Sequence, residues 1–166
     1  MTSQNHDSEQ WSPQGPVTEL SEQNCWILLG DLNMGRLGVS VNDQPNIFPV
    51  NYFVDGRSII FRTADGTKKS ELLTNSSVVF EADERTDDGA WSVTVKGSAA
   101  VVEDERGIPR AAHEALPEWI PTKEFVYVRI TPAEVHGRRF ERRVRPGLFR
   151  SGDASFQEQS VTNWFG

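Results

Sequence analysis

The stretch from Pro45 to Leu73 constrains the fold most, because two β-rich runs meet there at a clear turn signal. The runs are joined through Asp55-Gly56, a dipeptide typical of tight hairpin turns because both residues tolerate a positive φ. The second run ends at Thr63, and Gly66 then begins a short helical stretch. The sequence therefore predicts a hairpin followed by a helix, whose first backbone N–H groups favour an anion.

A concentration of cations and hydroxyls surrounds the start of that helix. Lys68 and Lys69 lie in its first turn, where the helix dipole disfavours each cation by ~0.3–1 kcal/mol. Thr67 precedes them, and Arg62 and Thr63 lie just upstream. A bound phosphate would accept hydrogen bonds from the hydroxyls, the backbone and the cations together. The local sequence leaves two interpretations open, a phosphate site or a set of solvated surface charges.

Six β-rich runs predict strands, with only brief helices between them. Ser21 is predicted to cap a first helix, and Pro109 lies near the start of a later one. Gly97 interrupts the fifth run and predicts a bulge or a sharp bend. The expected fold is mainly β, a six-stranded antiparallel barrel with short helices. The runs are 37–41, 45–54, 58–63, 76–83, 90–102 and 125–130.

The second of these strands contains a proline. Pro49 has no backbone N–H, so the strand must lie at an edge or be broken by a bulge at this point. The backbone groups of Pro49, Val50 and Asn51 would then be available to contact a flat polar ring. An ordinary barrel bulge is the alternative interpretation.

The charge balance bears on the class of partner. The chain has 166 residues, with 17 basic and 24 acidic side chains and a net charge of −7. Nucleic-acid binding draws most of its affinity from a basic surface, so this balance argues against a nucleic-acid partner. It leaves room for a local basic pocket that binds one phosphate. The length fits one domain with a single core.

The sequence offers few residues for metal, disulfide or membrane chemistry. Cys25 is the only cysteine, and it is expected to be a small buried residue rather than a nucleophile. His6, His113 and His136 lack metal-ligand spacing, so no metal is predicted. No apolar run approaches ~18 residues, and the polar N-terminus does not resemble a secretory signal. A cytoplasmic location, with no membrane contact, is the expectation.

The two ends of the chain differ in composition from the middle. Residues 1–17 are polar and predict a flexible tail. Residues 18–135 are expected to form the barrel. Residues 136–166 begin with closely spaced arginines and are interpreted as a basic extension, docked on the barrel or on a second subunit. These arginines are either solvated or directed at an anionic substrate or the tail of a cofactor.

Four short motifs give the chain a family resemblance. Taken together and in order, they resemble the pyridoxamine 5'-phosphate oxidase-related flavoproteins, which are FMN-binding split β-barrels. The match is densest from Leu20 to Ala100 and extends more loosely to the region of Gly137. The motifs are Gly35-Arg36-Leu37, Pro49-Val50-Asn51-Tyr52, Phe61-Arg62-Thr63 and Gly66-Thr67-Lys68.

The resemblance implies a cofactor, a set of site residues and an assembly. It implies FMN, whose ring would contact the Pro49, Val50 and Asn51 stretch. Members of the family form homodimers with two flavin sites at the interface, and the strand carrying Trp91 and Val93 would cover the ring from the second subunit. The residues implied for the phosphate and ribityl chain, with Lys68 as the principal one, are Arg62, Thr63, Thr67, Lys68 and Lys69.

The resemblance also bears on activity. True pyridoxamine phosphate oxidases end in an Arg-Leu-His segment that binds the substrate, whereas this chain has Gly-Arg-Arg-Phe at 137–140. The leading hypothesis is therefore an oxidoreductase that passes hydride through FMN to or from an unassigned small molecule, with catalytic residues unknown. The alternatives are a deazaflavin-dependent reductase on the same fold and a non-catalytic module that binds flavin or haem.

Overall fold

The computed structural model describes residues 14–64, 66–116 and 124–142. The strands are β1 (Gln14–Leu20), β2 (Met34–Val41), β3 (Gln44–Asp55), β4 (Ser58–Ala64), β5 (Ser77–Thr86), β6 (Gly89–Val101) and β7 (Phe125–Arg142). The helices are α1 (Glu22–Gly30), α2 (Thr67–Thr74) and α3 (Arg110–Ala115), with a 3-10 turn at Glu105–Gly107. Within the described ranges, no helix has the length and apolar character needed to span a membrane.

All the strand pairs are antiparallel, and six of the strands close into a barrel. The order across the sheet is β1-β7-β4-β3-β2-β5-β6, and β6 pairs back with β7. The closed ring therefore contains β2 to β7, and β1 is added outside it on the far half of β7. The predicted six-stranded antiparallel barrel is confirmed, with β1 as an additional strand.

Local turn chemistry explains the hairpins. Asn42 and Asp43 adopt positive φ values of 49° and 60° between β2 and β3, as a tight hairpin turn requires. Gly56, with φ of 61°, turns β3 into β4 at the predicted position. These two turns fix the register of β2 with β3 and of β3 with β4.

The barrel interior is filled by aromatic and branched side chains. Tyr52 and Phe80 pack edge to face, with ring centroids 4.7 Å apart. The Tyr52 hydroxyl donates to the carbonyl of Leu29 at 2.7 Å, which ties α1 to the barrel. α1 begins at its predicted cap, where the Ser21 side chain accepts from the Asn24 N–H at 3.2 Å. Cys25 is buried in the same core, as predicted.

A smaller apolar cluster lies on the outer surface of the barrel, beneath α3. Ile60 of β4 and Tyr127 of β7 point away from the main core and pack against Ile108, Ala112 and Leu116. α3 thus covers one outer segment of the sheet, close to the end of β4.

Two strands extend across the predicted boundaries at residues 17 and 136. Residue 17 lies within β1, and residue 136 lies within β7, which continues to Arg142 instead of ending at Ile130. A bulge allows the longer strand: Lys96 pairs with Glu134 and Gly97 with Pro132, so β7 carries one extra residue there. Sequence patterning misses this continuation because most β7 side chains beyond residue 130 are exposed. The parts of the predicted ends at 1–13 and 143–166 lie outside the described residues.

Candidate functional site

The Pro49–Asn51 segment of β3 lies on the outer face of the barrel. β3 pairs with β4 from Tyr52 to Asp55, so the Pro49–Asn51 segment lies beyond the end of that ladder. On its other side the segment pairs with β2, Pro49 opposite Arg36 and Asn51 opposite Met34. Pro49 is exposed and Asn51 half-buried on the outer face, whereas the Val50 side chain is buried. Val50 can therefore offer a ligand only its backbone.

The end of β4 and the start of α2 form a corner rich in hydrogen-bond donors. Thr63 is only 4% exposed, and its hydroxyl donates to the Ala64 carbonyl at 3.2 Å. Gly66 is the N-cap of α2 and provides no side chain to cap the helix. The first-turn N–H groups at residues 67–69 therefore have no side-chain acceptor at the cap, which is the arrangement that favours a phosphate oxygen. The half-buried Lys69 belongs to this turn.

The structure separates the predicted residues: one group lies at the β4–α2 corner, the Pro49–Asn51 segment lies on β3, and Arg62, Trp91 and Val93 lie elsewhere. The β4–α2 corner contains four of the predicted residues, and the structure describes the backbone of all four. They are Thr63, Thr67, Lys68 and Lys69. The side chains of Thr67 and Lys68 lie outside what the structure describes. Pro49 and Asn51 lie on the adjacent outer face of β3.

Arg62 is directed away from the β4–α2 corner. Its guanidinium donates to the carbonyls of Leu116 at 2.8 Å and His113 at 3.0 Å, at the C-terminal end of α3. It also donates to the Tyr127 hydroxyl at 2.8 and 3.1 Å, and it stacks over the rings of Phe125 and Tyr127. Arg62 in this structure is therefore a cap on α3, and its assignment to the phosphate is not supported.

The Tyr127 hydroxyl connects Arg62 to an imidazole. Two donors of Arg62 occupy its acceptor positions, so its own proton points to Nδ1 of His113, 2.6 Å away. Nδ1 of His113 therefore acts as the acceptor of this hydrogen bond. His113, one of three widely separated histidines in the sequence, thus helps to hold α3 on the barrel.

Trp91 and Val93 point into the barrel. They are 3% and 0% exposed and belong to the main core. Their side chains therefore cannot contact a ligand on the outer face, contrary to the role that the resemblance implied. Strand alternation places Ser92 and Thr94 on the outer face instead.

An ion-pair cluster that sequence reasoning missed lies beside the Pro49–Asn51 segment. Arg36 of β2 donates from Nε to Glu81 of β5 at 2.7 Å and forms a second ion pair with Asp83. The sequence shows that these residues alternate onto one face of their strands, but it does not show which strands are neighbours. The pairing of β2 with β5 brings them together.

Burial governs the protonation of two core groups. Desolvation raises the pKa of the Cys25 thiol, with a smaller contribution from Glu22. Desolvation also raises the pKa of the Tyr52 phenol, and the charge of Asp31 adds to it. Both groups therefore stay protonated near neutral pH, and Cys25 has no thiolate character there. The described residues contain no cluster of three or more potential metal ligands.

Comparison with protein-family models assigns the chain to a family. The family model described as pyridoxamine 5'-phosphate oxidase matches residues 21–139, which include the barrel from α1 through most of β7. The chain belongs to the pyridoxamine 5'-phosphate oxidase family. This membership agrees with the resemblance seen in the four short motifs.

Three solved structures are similar to this family member. A Corynebacterium glutamicum protein, provisionally assigned as a pyridoxamine 5'-phosphate oxidase, shares 40% identity, with 78% of this chain and 98% of that chain covered and a TM-score of 0.68. A Mycobacterium smegmatis FAD-binding protein shares 35%, covering 76% and 100%, with a TM-score of 0.59. A Mesorhizobium loti FAD-binding protein shares 25%, covering 76% and 98%, with a TM-score of 0.71.

Proposed function

We propose that this member of the pyridoxamine 5'-phosphate oxidase family is a flavin-dependent oxidoreductase. The observation that carries the proposal is the 35% identity to an FAD-binding protein whose full length the chain covers. The local structure is compatible, because an uncapped helix start follows β4, the strand that pairs with β3 immediately after the Pro49–Asn51 segment. The substrate is an unassigned small molecule.

The donor set of the β4–α2 corner fits the phosphate of FMN. The backbone N–H groups at 67–69 and the hydroxyl and ammonium groups of Thr67, Lys68 and Lys69 would hold it, whereas the Thr63 side chain is buried and its hydroxyl donates to the Ala64 carbonyl. The Pro49–Asn51 segment would support the ring, with Val50 contributing backbone groups only. When bound, the flavin supplies hydride and electron transfer, and the protein orients it.

We also infer that a second copy of the chain covers this face. Ile47 is 72% exposed and Val79 37% exposed on the outer surface, and both line a shallow trough of about 940 Å³. Exposed apolar patches of this kind mark interaction sites. The trough includes Ile47, two residues from Pro49 on the same face of β3, so a second subunit seated there would lie beside the ring.

The purified protein provides a direct test. We expect a yellow protein, or a colourless one that becomes yellow with added FMN, and release of the flavin on denaturation. Chromatography of the released chromophore distinguishes FMN from FAD and from a deazaflavin, and a haem would show a different spectrum. A protein that binds none of the flavins would contradict the proposal.

A further inference from the structure

Three charged side chains form a compact cluster on the outer face of the barrel. Arg36 of β2 lies between Glu81 and Asp83, which are two residues apart on β5 and point to the same side. Arg36 and Asp83 are about half exposed, and Glu81 is less exposed. The cluster has one positive and two negative charges, so its net charge is −1.

The strand register places this cluster beside the Pro49–Asn51 segment. Arg36 is the residue directly opposite Pro49 in the pairing of β2 with β3, and it is directly opposite Glu81 in the pairing of β2 with β5. Directly opposite residues share a face and have Cβ atoms about 4.5–5.5 Å apart. The row Pro49–Arg36–Glu81 therefore crosses three adjacent strands on one surface.

The guanidinium is oriented along this row. It turns toward β5, where both of its carboxylate partners lie, and away from Pro49. An anionic substrate group would have to displace two carboxylates to reach it. The cluster is therefore better suited to changing the electrostatic potential around it than to binding an anion.

From this juxtaposition we propose that the Arg36–Glu81–Asp83 cluster sets the reduction potential of the bound flavin. The inference rests on the proposed function, with the ring along the Pro49–Asn51 segment. Reduction brings two electrons and one proton to the ring and leaves it with one more negative charge. A neighbouring net charge of −1 opposes that change within about one Debye length, ~8–10 Å. The cluster therefore lowers the potential and favours the oxidised form.

The test is the midpoint potential of the bound flavin, measured by anaerobic titration with dithionite against a reference dye. Glu81→Gln and Asp83→Asn remove a negative charge, so both should raise the potential. Arg36→Gln leaves a net charge of −2 and should lower it. The ratio of the Kd values for reduced and oxidised flavin should change about three- to tenfold per unit charge, the scale of a partly screened charge pair.

The double variant Arg36→Gln/Glu81→Gln separates charge from structure. It loses the ion pair but keeps the net charge of −1, so its potential should return close to that of the parent. If the ion pair acted only through structure, Arg36→Gln and Glu81→Gln would shift the potential in the same direction. The double variant would then not restore the potential of the parent. Asp104→Asn is the matched control, because it breaks an exposed ion pair with Arg106 on the 3-10 turn and should leave the potential unchanged.

The outcomes distinguish this inference from the proposed function. A parent protein that binds no flavin overturns both. A parent that binds flavin, with Arg36→Gln and Glu81→Gln potentials that are unchanged or move in the same direction, overturns the electrostatic role alone. Opposite shifts with recovery in the double variant support it.

Discussion

Arg62 and Thr63 are adjacent in β4, yet their side chains lie on opposite faces of the sheet. The Thr63 side chain is buried and its hydroxyl donates to the Ala64 carbonyl, whereas Arg62 lies under α3 and donates to its terminal carbonyls. Both residues belong to one motif, and the motif does not reveal that their side chains have different surroundings. The alternation of strand side chains makes the difference.

The roles of Arg62 and Lys68 can be separated by matched substitutions. Arg62→Met should lower the free energy of unfolding by about 2 kcal/mol, because it removes hydrogen bonds from a cation to α3 and to Tyr127. Its Kd for FMN should change little. Lys68→Ala should weaken FMN binding by more than ~1 kcal/mol, the scale of a charge-assisted hydrogen bond, with little change in stability.

Urea unfolding and fluorescence titration with FMN measure the two quantities. Arg62→Lys is the conservative control and should recover part of the stability. Loss of FMN affinity in Arg62→Met at unchanged stability would return Arg62 to the phosphate site. Unchanged affinity in Lys68→Ala would remove Lys68 from it.

At the scale of elements, β7 depends on a bulge opposite Gly97. A Cβ at Gly97 would lie 2.2 Å from the Thr131 carbonyl oxygen, which is backbone and cannot move aside without disturbing the strand. The glycine therefore lets β6 and β7 approach where the register shifts.

Gly97→Ala should accordingly lower the free energy of unfolding by about 2 kcal/mol or more, since backbone must shift to relieve the contact. Gly30→Ala at the end of α1 is the control, because a Cβ there meets no atom within 4 Å. Thermal or urea unfolding of the two variants measures the difference. Equal stabilities would show that the bulge tolerates a side chain.

The elements that sequence predicted well are those with strong local signals. The Asp55-Gly56 turn, the Ser21 cap and the bulge at Gly97 were all predicted from short-range chemistry. β1 and the far half of β7 were missed, because their side chains are mostly exposed and lack the alternation that marks a half-buried strand. The Arg36–Glu81–Asp83 cluster was missed because it depends on a pairing between residues about 45 positions apart.

At the scale of the whole molecule, the exposed apolar trough predicts self-association. Ile47→Lys should convert the proposed dimer to a monomer, because a charge would be placed in an apolar interface. Since Ile47 is largely exposed in the single chain, the variant should fold normally. Light scattering coupled to size-exclusion chromatography measures the mass. Ile27→Lys on α1, also exposed, is the control, and a variant Ile47→Lys that remains dimeric would place the interface elsewhere.

The length of β7 has a consequence for how the molecule unfolds. This one strand forms ladders with β1, β4 and β6, so the backbone hydrogen bonds of all three neighbours depend on it. Separating β7 from one neighbour would leave backbone N–H and C=O groups of both strands without hydrogen-bond partners. The slowest-exchanging amides should therefore lie along β7, and they should become accessible together, in a single cooperative event.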